Sequence, residues 1–163
     1  MRTLKTAAAV ALIMAGGGWF VVGAQQADHA VLPTEVAAPE LRLTPEDIIK
    51  QATAPREPGK QVLFNGDPSK PGLYSTLVNF APHRGSKPHR HRDNRVGYVV
   101  SGTLWVGYGE QYDPASMKPL PPGSYYTEPA GVAHYTEARD EAVVAVVTGY
   151  GPTTMAPVAA PVK

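Results

Sequence analysis

Three observations predict an all-β fold, a closed β-sandwich or jelly-roll barrel preceded by one short helix. Short runs of β-forming residues recur from Gln61 to Thr148, each bounded by Gly, Pro, Asn or Asp. Gly 16 and Pro 17 among 163 residues favour many short strands over long helices. Two histidine-bearing stretches, Lys87–Gly102 and Gly123–His134, lie against such runs.

The elements follow in order. Met1–Lys5 is basic, Thr6–Gly23 is apolar and small, and Val22-Gly23-Ala24 has the small-residue pattern of a cleavage site before Gln25. Residues 1–24 are therefore expected to be a signal peptide, and the protein periplasmic or secreted. The alternative is an N-terminal membrane anchor, because the apolar run approaches spanning length. Cleavage would remove Arg2 and Lys5, leaving 13 basic against 14 acidic residues, a formal charge of −1. Residues 25–60 read as an arm with Pro33 and Pro39. It holds a helix over Thr44–Ala52, with Thr44 as cap, Pro45 at the first position and Glu46 and Asp47 at the positive end.

The barrel is expected over 61–150. Its strands are Gln61–Phe64, Leu73–Phe80, Arg95–Val100, Thr103–Tyr108, Ser124–Thr127, Ala133–Ala138 and Ala142–Thr148. Ala81–Pro88 reads as a loop delivering the histidine pair, and Gly109–Pro122 as a polar loop. Residues 151–163, rich in Pro, Ala and Thr, read as a flexible tail.

Composition narrows the function. The formal charge of +1 gives no bulk argument for nucleic acid or an anionic membrane. With no cysteine, disulfides, thiolate metal sites and Cys nucleophiles are excluded. The chain has no Walker loop, no dinucleotide fingerprint and no Ser-x-Gly elbow.

His89 and His91 stand at i and i+2, so on a strand both imidazoles share one face. Two imidazoles on one face are half a metal site, and His134 offers a third. The two stretches resemble the paired motifs of the cupin superfamily. The first motif runs G, five residues, H-x-H, three or four residues, E, six residues, G. Here His89, His91 and Gly102 match, His83 replaces the leading Gly, and Arg95 replaces the Glu. The second runs G, five residues, P-x-G, two residues, H, three residues, N. Gly123, Pro129, Gly131 and His134 match, and Ala138 replaces the Asn. The resemblance covers about residues 60–150 and implies a cupin-type jelly roll. It also implies a divalent transition metal (Fe, Zn, Mn, Ni or Cu) on His89, His91 and His134. Cupins are often dimers, so a homodimer is a family expectation.

Arg95 cannot ligate a metal, and its charge repels a bound cation. Three arrangements follow. Arg95 orients the anionic group of a substrate beside a three-histidine metal, or it forms a metal-free anion pocket with the histidines, or it turns outward into a surface ion pair. Among the acids, Asp93 shares the face of His91 if the strand has begun. Glu137 alternates away from His134, and Glu128, before Pro129, reads as solvent-exposed. His83 reads as a surface or mouth-lining residue, and His29, in the arm, has no role. Tyr98 and Tyr126 are candidates to present a phenol to the cavity, while the aromatics generally suit core packing.

The expected function is therefore that of an exported metal-dependent cupin acting on a small anionic molecule. A three-histidine site resembles that of the thiol and diketone dioxygenases, which implies Fe(II), O2 and a chelating substrate, with Arg95 and Tyr98 as catalytic candidates. An isomerase or lyase suits the same fold. The alternative is a non-catalytic periplasmic small-anion binding or sensing module. A third reading is a degenerate barrel kept for protein contacts. No nucleic-acid partner is expected, and no membrane partner after signal cleavage.

Overall fold

A computed structural model of the chain describes residues 38–56 and 60–159. The expected signal peptide, residues 25–37 and 57–59 of the arm, and residues 160–163 lie outside them. Among the described residues no helix is long and apolar enough to cross a membrane.

One helix and ten strands are present among these residues. Helix α1, Pro45–Thr53, begins as the sequence predicts. The Thr44 hydroxyl accepts from the Asp47 amide at 3.2 Å, and the Asp47 carboxylate accepts from the Thr44 amide at 2.9 Å. This reciprocal pair satisfies two amides that the first helical turn would otherwise leave open.

The strands are β1 (Leu63–Asn65), β2 (Gly72–Phe80), β3 (Gly85–His91), β4 (Arg95–Ser101), β5 (Leu104–Tyr108), β6 (Lys118–Leu120), β7 (Tyr125–Glu128), β8 (His134–Ala138), β9 (Val143–Gly151) and β10 (Met155–Pro157). They form two five-stranded antiparallel sheets, ordered β1-β2-β9-β4-β7 and β10-β3-β8-β5-β6. This is the layered all-β jelly roll expected from the turn-separated strands.

Three differences from the sequence reading matter. The strand carrying the histidine pair starts at Gly85, inside the expected loop, and tolerates Pro88 because its pairing with β8 is interrupted between Ser86 and His89. Lys118–Leu120, expected as loop, is an edge strand on β5. The expected tail supplies β10, whose Met155 and Pro157 lie opposite His91 and His89.

The inner cluster is Val99, Leu104, Val106, Tyr126, Ala138, Val143 and Val147. Burying each Val or Leu contributes about 1.5–3 kcal/mol before entropy is counted. A second cluster of Ala52, Leu77 and Val144, with Ile48, Val62, Phe64 and Val100 against it, seats α1 on the first sheet. The turn glycines Gly102, Gly123 and Gly131 have φ of 70°, 84° and 73°, where a side chain is strained. His83, at the position of the motif's leading Gly, also has φ 60°.

Three tyrosines lie over glycines on the adjacent strand. Tyr126 faces Gly97, Tyr135 faces Gly107, and Tyr74 faces Gly149. A Cβ on Gly97 would meet the Tyr126 ring at 2.2 Å, and one on Gly107 would meet the Tyr135 ring at 2.3 Å. Each ring occupies space that only glycine leaves free.

Candidate metal centre

Strand alternation brings the three histidines together. His89 and His91 project from one face of β3, and His134 on β8 lies directly opposite His89 in register. All three are buried, with His134 fully enclosed. Their ring centroids are 4.9, 4.4 and 5.4 Å apart. One nitrogen from each falls within 4.8 Å of the others, so the group can hold a metal ion.

The backbone sets the tautomer of each ring. His89 Nδ1 lies 2.8 Å from the Lys87 carbonyl, His91 Nδ1 2.9 Å from that of Thr154, and His134 Nδ1 3.2 Å from that of Val132. A carbonyl only accepts, so each Nδ1 carries the proton and donates it. The Nε2 lone pairs are then free to ligate, the orientation that metal-binding histidines require. His91 Nε2 and His134 Nε2 are buried and have no hydrogen-bond partner. A proton on one ring would satisfy one contact. Convergent nitrogens call for a cation that all of them share, so the donor set fits a divalent transition metal.

Burial favours the neutral form of two of the rings. Burial lowers the pKa of His91, and the nearby Arg95 charge adds to the effect, bringing it to about 4. Burial also lowers that of His89.

Arg95 points inward rather than out to the surface, and its guanidinium is committed. It sits opposite Glu128 in the β4–β7 register, and its Nε donates to Glu128 Oε2 at 2.6 Å. Its Nη2 donates to the same oxygen. Both side chains are largely buried. None of the three arrangements expected for Arg95 describes this inward ion pair. Glu128, expected to be exposed, is 4% accessible. Its Oε2 is 3.4 Å from His134 Nε2 and 4.0 Å from His91 Nε2.

Glu128 left a partial signal in the sequence. It stands at i+2 from Tyr126, a core tyrosine, so strand alternation turns it inward despite Pro129. An inward arginine on the neighbouring strand also calls for a buried acid. The Thr154 carbonyl left no such signal, because a backbone acceptor depends on tertiary position alone.

The other candidates are placed elsewhere. Tyr98 is 52% exposed, with its ring 5.2 Å from that of Tyr125, and is not brought to the histidines. Tyr126 is buried in the inner cluster, where burial raises its pKa. Asp93 is buried but accepts from Tyr74 and Thr153. Glu137 accepts from Arg139 at 2.6 Å. His83 lines a separate cleft with Arg84, Lys87 and Arg139. His29 lies outside the described residues.

Comparison with known proteins agrees with this architecture. Residues 76–150 match the family described as "Cupin domain". No curated protein matches the sequence. Similar solved structures include a protein from Neisseria meningitidis, 16% identical over 64% of this chain and 97% of that one, with a TM-score of 0.49. An RmlC-like cupin from Shewanella frigidimarina is 20% identical over 55% of this chain and 73% of that one, with a TM-score of 0.46. The DMSP lyase DddQ from Ruegeria pomeroyi is 20% identical over 50% of this chain, with a TM-score of 0.44, and the chain spans only 40% of its length. Both motifs, the two sheets and the family match agree, and they identify a cupin domain over residues 76–150 of the chain.

Proposed function

We propose that this cupin binds one divalent transition metal through Nε2 of His89, His91 and His134 and acts on a small anionic molecule. The observation that carries this reading is the convergence of three buried imidazoles whose Nδ1 atoms are all tied to carbonyls. When bound, the metal supplies Lewis acidity and, as Fe(II), the capacity to activate O2. The chain's own residues supply orientation and charge. The Lys87, Thr154 and Val132 carbonyls hold the ring planes. Arg95 and Glu128 cancel each other's charge, and burial favours the neutral form of His89 and His91. The positive charge of a bound cation is then left uncompensated, which favours an anionic partner. Within this class we favour dioxygenase chemistry on a small chelating acid. We also propose export, with the mature chain beginning near Gln25; N-terminal sequencing of the natively expressed protein checks that start.

Elemental analysis of protein purified without a histidine tag tests the metal. About one ion per chain is expected, with loss of the ion in His91→Ala and His134→Ala. Metal-free protein after reloading, or full metal content in His134→Ala, overturns the reading.

A second reading, a non-catalytic small-anion binding module, has support from a cleft of about 460 Å³ lined by Arg84, Lys87 and Arg139. Thermal stabilisation of metal-stripped protein by carboxylates or phosphates would favour it.

A further inference from the structure

We infer that Glu128 is the fourth protein ligand of the metal, so that the carboxylate comes from β7 and Arg95 on β4 serves as its hydrogen-bond partner. The inference rests on the three-histidine reading and assigns a carboxylate that the motif spacing does not indicate.

The argument is one of lone pairs. Glu128 Oε2 faces His134 Nε2 at 3.4 Å and His91 Nε2 at 4.0 Å. With each Nδ1 donating to a carbonyl, those two Nε2 atoms are acceptors. A carboxylate oxygen therefore meets two acceptors in a buried site, an arrangement that is repulsive without a cation between them. The 3.4 Å to His134 suits ligation as it stands, and the 4.0 Å to His91 calls for a small closing of the site around the ion. With bonds of about 2.1 Å, two ligands of one ion lie roughly 3 Å apart at a right angle and roughly 3.4 Å apart at the tetrahedral angle. The ionised state suits it too, since Arg95 donates to the same oxygen and holds it as an acceptor.

The backbone also fixes Glu128 relative to the histidines. The turn that follows it is pinned twice, by the Gly131 amide donating to the His91 carbonyl at 2.8 Å and the Ala130 amide donating to Asn94 Oδ1 at 2.9 Å. The β4–β7 register sets Arg95 directly across from it. The residues at positions 95 and 128 form one rung of the sheet, with the acid on the β7 side. Oxygen ligation by Glu128 and donation by Arg95 are compatible, because a ligating carboxylate is normally held by a further hydrogen bond.

Glu128→Gln alone does not decide the matter. It leaves the Arg95 charge unopposed, and that repulsion lowers metal affinity whether or not Glu128 ligates. The Arg95→Met/Glu128→Gln double variant separates the two roles. The probe is Co(II), titrated into metal-stripped full-length protein and followed by its visible absorption. Wild type is expected to bind, and His134→Ala is not. The double variant is expected to bind at least about tenfold more weakly than wild type, with an altered Co(II) spectrum. Wild-type affinity and spectrum in the double variant would reduce Glu128 to a counter-ion and overturn the assignment, with the three-histidine reading intact. Absence of Co(II) binding by wild type would instead sink that earlier reading. Infrared difference spectra of wild type labelled with ¹³C-glutamate give a readout that needs no variant to fold. Co(II) is expected to shift one carboxylate's stretching bands, and unshifted bands overturn ligation.

Discussion

The Tyr74 hydroxyl donates to Asp93 Oδ2 at 2.7 Å, across the gap that Gly149 leaves open in β9. The Thr153 hydroxyl donates to the other oxygen of Asp93. A buried carboxylate at the β3–β4 connection is thus tied to β2 on one side and to the segment entering β10 on the other. Tyr74→Phe removes a bond to a charged acceptor and is expected to cost about 1.5–3 kcal/mol. Urea unfolding of the metal-free protein measures it. Gly149→Ala should destabilise through the same site, since its Cβ would stand 2.6 Å from both Asp93 Oδ2 and the Tyr74 hydroxyl.

Arg95→Met should be among the most damaging single changes in the barrel. It leaves the Glu128 carboxylate buried without its partner, at an expected cost of about 3–5 kcal/mol. Metal should recover part of that loss, because a bound cation compensates the same charge. Denaturation curves with and without one equivalent of Zn(II) check both halves. Equal destabilisation in the two conditions would argue against electrostatic contact between Glu128 and the metal.

Removing residues 153–163 deletes β10 and with it the Thr154 carbonyl that holds His91 Nδ1. The His91 ring then loses its tautomer control. Metal affinity is expected to fall about 10–100-fold, while the far-ultraviolet circular dichroism stays close to that of the full chain. Nitrogen NMR of the His91 ring reports the tautomer directly. An unchanged tautomer in the truncated chain would remove β10 from the site.

Helix α1 carries a local pH dependence. The Thr44 amide and hydroxyl hold the Asp47 carboxyl below its ordinary value of 3.8. A depressed carboxyl adds stability above that ordinary value and loses it as pH falls through the lower, folded one. Amide exchange in the first turn of α1 should therefore accelerate as pH drops below about 3.8, over the intrinsic rate. Asp47→Ala should abolish this dependence, and amide NMR resolves it residue by residue.

The barrel was legible in the sequence because its signals are local. Gly102, Gly123 and Gly131 mark turns that need positive φ, and alternation in Leu73–Phe80 and the valine-rich run Ala142–Thr148 mark strands that pair in full register. His89 and His91 were legible by their spacing, and His134 by the motif around it. Four parts were not. The start of β3 is hidden by Pro88 and by a polar sequence that buries only its histidine end. Strand β10 is three exposed residues whose pairing is non-local, so composition favoured a tail. Glu128 was obscured by the turn signal of Pro129, although its face was implied by Tyr126. Placing Arg95 required knowing which residue stands across from it, and that is a property of register.

The glycine–tyrosine pairs carry a consequence for descent. Each ring lies on a neighbouring strand in a space set by the absence of a side chain, so neither partner can drift alone. Enlarging Gly97 or Gly107 demands a smaller residue at 126 or 135 in the same lineage, and trimming a ring leaves a void that favours filling from the glycine side. Among relatives of this chain, positions 97 and 126, 107 and 135, and 149 and 74 should therefore change as couples, leaving a record of strand register that can be read without coordinates.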